Sequence, residues 1–142
     1  MTIHQLSVFI ENKTGRLVKV LNVLKEAGIQ IIASTVSDTV EYGLYRIICD
    51  KPTQAYRLLR EQGIGVTMND VFAIQIDNTP GQAAQLFETF SKADINISYM
   101  YSFMLKGKGI IIFRTSDTEK AREVISLNKI NFISEENLTQ VV

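Results

Sequence analysis

The sequence predicts an α+β protein made of two copies of one β-α-β-β-α-β unit. Three observations carry this. The chain matches itself without a gap when displaced by 66 positions, from Asn12 to Asn78. Each copy switches in the same order between strand-like and helix-like hydrophobic periods. Near-identical polar turns, ENKTG at 11–15 and DNTPG at 77–81, separate the first strand pattern from the first helix pattern. Under the same displacement Gly15 meets Gly81, Ala27 meets Ala93, Ile29 meets Ile95, and Ala55 meets Ala121. The apolar positions correspond too, with Leu6 over Phe72, Val8 over Ile74 and Leu24 over Phe90. A repeat this long exceeds a usual solenoid unit, so each copy is read as a small domain, residues 1–69 and 70–142.

The elements follow in order. LSVFIE and VFAIQID open the two copies as strands. After the polar turn, Leu17, Val20, Leu21, Leu24 and Ala27 recur at helical spacing, as do Ala83, Leu86, Phe87, Phe90 and Ala93. Gly28 closes the first of these helices, and Asp94, a poorer stop, stands in its place in the second copy. Two strands come next, near 29–37 with 42–50 and near 95–104 with 109–115, each pair joined by a short glycine-bearing turn. A second helix is expected near 52–62, with Pro52 in its first turn, and near 118–128, where Asp117 or Thr118 is the expected cap. A last strand near 65–69 and near 131–135 completes each copy. This is the ferredoxin-like plan, in which both helices cover one face of an antiparallel sheet. Units of about 70 residues are marginal alone, which predicts pairing between the copies and a homodimer. The apolar end of the tail, NLTQVV, is expected to add a strand to a sheet edge.

Composition removes several classes of function. With 142 residues, 46% of them hydrophobic, the chain has material for a core. Fifteen basic residues balance 15 acidic ones, so no general attraction to nucleic acid or to an anionic membrane is expected. One cysteine, Cys49, and one histidine, His4, leave no catalytic Cys-His or Ser-His-Asp set and no multi-thiol metal site. Cys49 lies in the apolar run YRIIC and reads as a small buried hydrophobe. GKG at 107–109 falls in a hairpin turn rather than before a helix, so it is not a phosphate cradle. The first residues lack a signal-peptide pattern, and no apolar run is long enough to span a bilayer. The expectation is a cytoplasmic protein that is not an enzyme, with no catalytic residue, metal or cofactor.

The fold plan serves many functions, so the loops must decide. There is no CxxC for copper carriage and no glycine loop with an early arginine of the acylphosphatase kind. Tyr99, Tyr101 and Phe103 alternate on one strand, but without an RNA-recognition consensus or a basic surround. They read as packing or interface residues. Asn12-Lys13-Thr14-Gly15 and Asn78-Thr79-Pro80-Gly81, each between strand and helix, resemble the D/N-x-P-G-x-L loop of the ACT-domain family, the amino-acid-binding regulatory modules of metabolic enzymes. GIQI and DINI resemble the family's G-x-N-I at the start of the second strand. The resemblance covers nearly the whole chain twice and is nearest to the serine-regulated phosphoglycerate dehydrogenase branch. Departures are Thr14 for the preferred Pro, Ala83 for the preferred Leu, and Gln30 for the expected Asn.

The resemblance implies a free amino acid as ligand, bound by Asn12, Lys13, Thr14, Gly15, Arg16 and Leu17 in one loop. In the other it implies Asn78, Thr79, Pro80, Gly81, Gln82 and Ala83, with Gln30 and Asn96 closing the sites from a neighbouring strand or partner copy. It also implies binding at a seam between domains and an enzyme of amino-acid metabolism as a possible partner. The physics is consistent. A helix start presents unpaired N–H groups to a carboxylate, glycine lets the backbone approach, and Asn offers donor and acceptor to a zwitterion. The same residues are ordinary turn and cap formers. Their recurrence in two loops, together with the Gln30/Asn96 pair, favours binding. The alternative is an interaction module with no ligand of its own; a small enzyme of unknown chemistry stands third.

Overall fold

The computed structural model describes residues 1–11, 15–38, 42–77 and 79–139. The elements are β1 (Ile3–Glu11), α1 (Arg16–Glu26), β2 (Ile31–Asp38), β3 (Tyr42–Cys49), α2 (Pro52–Glu61) and β4 (Val66–Ile76). Then come α3 (Gln82–Lys92), β5 (Ile97–Leu105), β6 (Lys108–Thr115), α4 (Thr118–Leu127) and α5 (Glu135–Thr139). The chain divides into two compact units, one of His4–Asn69 with the segment from Glu136, the other of Asp70–Glu135 with the first three residues.

In the first unit the strand order is β2-β3-β1-β4, with β3 antiparallel to both its neighbours. In the second it is β4-β6-β5, with β6 antiparallel to both. The two cores are built on corresponding positions. Leu6, Val8, Val20, Leu24, Ile47 and Leu59 pack in the first. Phe72, Ile74, Leu86, Phe90, Phe113 and Ile125, each 66 residues later, pack in the second. Backbone hydrogen bonds repeat as well. The Ile29 N–H donates to the Leu24 carbonyl and that of Ile95 to Phe90, both at 3.0 Å; the Phe9 N–H donates to Gly65 at 2.9 Å and that of Gln75 to Asn131 at 2.8 Å.

The helix ends follow the local sequence. Gly28 takes φ 69° after α1, and Asp94 takes φ 59° after α3 with the same backbone hydrogen bonds. Gly63 (φ 72°) and Lys129 (φ 51°) form a second such pair, after α2 and α4. Pro52 is the first residue of α2, as its missing N–H favours. Asp117 occupies the cap position of α4, but its side chain makes no capping hydrogen bond.

Three expectations need correction. The strands expected at 65–69 and at the start of the second copy are one strand, β4, because nothing in VTMNDVFAIQI breaks an extended backbone. The strand expected near 131–135 shrinks to a single bridge between Ile74 and Phe132, held by Gln75 N–H to Asn131 and Ile133 N–H to Ala73. The described part of the tail, residues 137–139, belongs to α5 and not to an edge strand, with Ser134, Glu135 and Glu136 as the helix-start signal. Residues 140–142 of that tail lie outside the described residues.

Candidate functional site

Each strand-to-helix loop ends on a glycine with the same backbone geometry: Gly15 at φ 87°, ψ −7° and Gly81 at φ 87°, ψ −8°. A Cβ on either would meet nothing within 4 Å. Glycine is therefore required by the left-handed backbone, not by crowding. The carbonyl of Gly15 accepts the Lys19 N–H and that of Gly81 the Gln85 N–H, both at 3.0 Å, which starts α1 and α3. Among the described residues no side chain caps either helix, and the Gln82 N–H at the start of α3 donates to the Thr79 carbonyl at 3.4 Å. Asn12, Lys13, Thr14 and Asn78 lie outside the described residues.

The residues around the loops are placed as follows. Arg16 is half-buried and reaches Glu11 at 3.7 Å. Leu17, Thr79 and Pro80 are exposed. The Thr79 N–H donates to the Asp77 carbonyl at 2.9 Å, which tightens the second loop. Asp77, the counterpart of Glu11, is bound by Lys108 at the start of β6 at 2.8 Å. The Lys108 ammonium holds the Asp77 carboxyl below the usual carboxylate range by hydrogen bond and charge. Ala83 packs against the second core, while Gln82 lines an open groove beside the loop.

Gln30 and Asn96 are not brought to the loop of their own repeat. Each follows the C-terminal end of the helix that the loop begins. An 11-residue helix separates them by about 16 Å at the usual rise. Gln30 is held there: its N–H donates to Asp50 Oδ1 at 2.9 Å and its carbonyl accepts the Asp50 N–H at 3.1 Å. Asn96 is exposed.

The groove lies wholly within the second unit, between the N-terminal half of α3 and residues 128–131 after α4, with a volume of about 460 Å³. Ile74, Leu86 and Ile130 contribute its apolar surface; Gln75, Gln82, Gln85, Thr89, Asn128 and Asn131 contribute polar side chains. Thr89 Oγ1 donates to the Gln85 carbonyl at 3.0 Å, and Asn128 Nδ2 to the Val124 carbonyl at 2.9 Å. Sequence reading missed Gln75, Gln85, Thr89, Asn128 and Asn131, which look like solvated strand, helix and turn positions. The signal was in the repeat itself, where the first copy has Phe9, Lys19, Val23, Gln62 and Gly65 at the same places.

Cys49 is buried. Among the described residues no group of three His, Cys, Asp or Glu side chains could hold a metal ion, and no helix is long and apolar enough to cross a membrane.

Comparison with known proteins completes the picture. No curated protein matches the chain. The crystal structure of a Bacteroides thetaiotaomicron protein, BT0572, superposes with a TM-score of 0.94 at 32% identity, over 99% of this chain and 97% of that one. The ligand-free regulatory subunit of aspartate kinase from Thermus thermophilus shares the fold, with a TM-score of 0.60 at 17% identity over 87% of this chain and 90% of that one. The family model of the ACT domain pair matches residues 1–142. The chain therefore belongs to the ACT-domain family, as an ACT domain pair.

Proposed function

We propose that the chain is a non-catalytic regulatory protein that binds a free amino acid at its two strand-to-helix loops. The carrying observation is the identical φ of Gly15 and Gly81, each opening a helix, in both members of an ACT domain pair. In this reading the two domains are residues 1–69 and 70–142. The ligand carboxylate meets the helix starts at Gly15-Arg16-Leu17 and Gly81-Gln82-Ala83. Asn12, Lys13, Thr14, Asn78, Thr79 and Pro80 supply the loop contacts.

Gln30 and Asn96 stand a helix length from their own loops, so closure by them requires the other domain or a second copy. A seam site and a homodimer therefore belong to the same proposal. Binding at such a seam favours one arrangement of the domains, which is how a small ligand becomes a signal. An enzyme of amino-acid metabolism is the natural recipient, and the cytoplasm the natural place. The fold shared with an aspartate kinase regulatory subunit supports that choice of recipient.

Thermal unfolding of the full chain against each of the 20 amino acids at millimolar concentration tests the reading. A ligand at a hundred times its dissociation constant adds about 2.7 kcal/mol, which moves the midpoint by several degrees. The shift should vanish in Asn12→Ala and Asn78→Ala. If no amino acid shifts the midpoint, the second reading takes over: an interaction module without a ligand. The exposed Met100 and Met104 on edge strand β5 favour that reading, because they offer apolar surface to a protein partner.

A further inference from the structure

We propose that α5 is a strap through which the second repeat acts on the first. Leu138 fastens it to the first repeat, and residues 131–133, which close the second repeat, hold or release it. The device goes beyond the sensor reading and stands whether or not the loops bind an amino acid.

The displacement of 66 runs on past the second copy. Residues 136–139, ENLT, follow DVFA at 70–73 and HQLS at 4–7 at that spacing. Leu6, Phe72 and Leu138 therefore share one position, and they are 0%, 2% and 1% exposed. The compact units change over at the same point of each copy: between Ile3 and His4, between Asn69 and Asp70, and between Glu135 and Glu136. A buried position is thus used a third time, and the chain from Glu136 onward belongs to the unit of the first repeat.

The two later crossings differ in stiffness. Asn69–Asp70 lies inside β4, a strand of 11 residues. Glu135–Glu136 lies in the first turn of α5, a helix of five. A helix so short does not hold itself in water, so α5 keeps its form by docking. Among its residues Leu138 is the buried one, and Thr139 Oγ1 donates to the Glu136 carbonyl at 3.1 Å. Docked helix and released coil are the two states of one element, and an element with two states can carry a signal.

The other end of the strap is fixed by the second repeat. The Gln75 N–H donates to the Asn131 carbonyl and the Ile133 N–H to the Ala73 carbonyl, both at 2.8 Å, with a bridge between Ile74 and Phe132. Glu136 is three positions past Ile133, about 10 Å of chain when fully extended. That leaves little slack. A shift at 131–133 draws Leu138 from its place or presses it home, and its withdrawal takes a buried side chain from the unit of the first repeat.

Amide hydrogen exchange of the full-length protein, read by mass spectrometry, tests this. Leu138→Ala should speed exchange at least tenfold in α5 and in β3 and α2 of the first repeat, and leave β6 and α4 of the second unchanged. Ile133→Pro removes the N–H bonded to Ala73. It alters the second repeat, yet it should speed α5, β3 and α2 in the same way. The double variant should show no further rise in β3 and α2, because the strap is already free. Phe132→Gly loosens the bridge without deleting a hydrogen-bonding group, and it takes the place of Ile133→Pro if that variant unfolds the second repeat. Asn137→Gly, exposed on α5, should raise exchange in the same segments by a smaller factor. The proposal is overturned if Ile133→Pro and Phe132→Gly leave β3 and α2 unchanged, if the double variant adds the two effects, or if Leu138→Ala speeds β6 as much as β3.

Discussion

Leu6, Leu24 and Ile47 form the centre of the first core, and Phe72, Phe90 and Phe113 hold the same three places in the second. In the second, Phe113 stacks on Phe72 at 5.3 Å between ring centres, tilts against Phe90 at 5.1 Å, and meets Phe87 edge-on at 5.9 Å. The helix stops differ as well: glycines 28 and 63 in the first repeat, Asp94 and Lys129 in the second. The same hydrogen-bonded frame thus accepts an aliphatic or an aromatic filling, and glycine or charged residues at its left-handed turns. What the frame does not tolerate is change at Gly15 and Gly81, the one left-handed pair kept as glycine in both repeats. Divergence at the first two kinds of place and identity at the third separate what packing needs from what the loop needs.

The largest expected effect tests the cores. Phe113→Ala should cost about 4 kcal/mol, within the usual range for a buried ring. Ile47→Ala in the first repeat should cost about 1 kcal/mol less, because aromatic pairs add about 0.5–1.5 kcal/mol beyond area burial. Urea unfolding of both variants decides it, and equal losses would remove the aromatic contribution. Next come Gly15→Ala and Gly81→Ala, each expected to lose about 1–2 kcal/mol from the left-handed backbone alone, since neither Cβ meets a neighbour. Unequal losses would show that the two loops are not the same structural device. Smaller still, Asp94→Gly and Lys129→Gly should stabilise the second repeat by up to about 1 kcal/mol, the left-handed strain relieved less the entropy of glycine. Thermal midpoints should rise for both; a fall would mean that the charged side chains hold contacts worth more than the strain.

The smallest effect concerns the acids at the strand ends, Glu11 with Arg16 and Asp77 with Lys108. Lys108→Ala should return the Asp77 carboxyl upward toward the ordinary carboxylate range, read by NMR titration of its side chain. The sign follows from the lowered folded-state value. The contribution of the pair is present above the unfolded carboxylate pKa and is lost as pH falls through the folded one. Asp77 is fully exposed, so the stability change itself should be slight and should fade with salt. An Asp77 titration unmoved by Lys108→Ala would show that the loop backbone, not the lysine, sets its value.

Most of the frame was legible because it is local and repeated. Helical spacing, Gly28 and Pro52 each mark their own element, and the second copy checks the first. What was not legible depends on competition between neighbours. The repeat boundary falls between Asn69 and Asp70, so a β4 that nothing in the local sequence interrupts reads as two strands. At 131–135, Phe132 and Ile133 favour a strand while Ser134-Glu135-Glu136 favours a helix, and the outcome is a single bridge at Phe132 with α5 beginning at Glu135. The loops were legible as turn chemistry with a family resemblance. The groove was not, because its rim joins residues from α3 with residues 128–131, and only the fold makes them neighbours.

Strand β5 ends the strand order of its unit, and its nine residues, ISYMYSFML, include no charged side chain. Met100 is 43% exposed and Met104 53%. Both thioethers are within reach of peroxide, which converts each to a polar, chiral sulfoxide. An oxidised sample would thus carry hydrated dipoles along an edge that a reduced sample keeps greasy. Reducing conditions, and a mass spectrum to count added oxygens, decide which edge any association experiment actually measures.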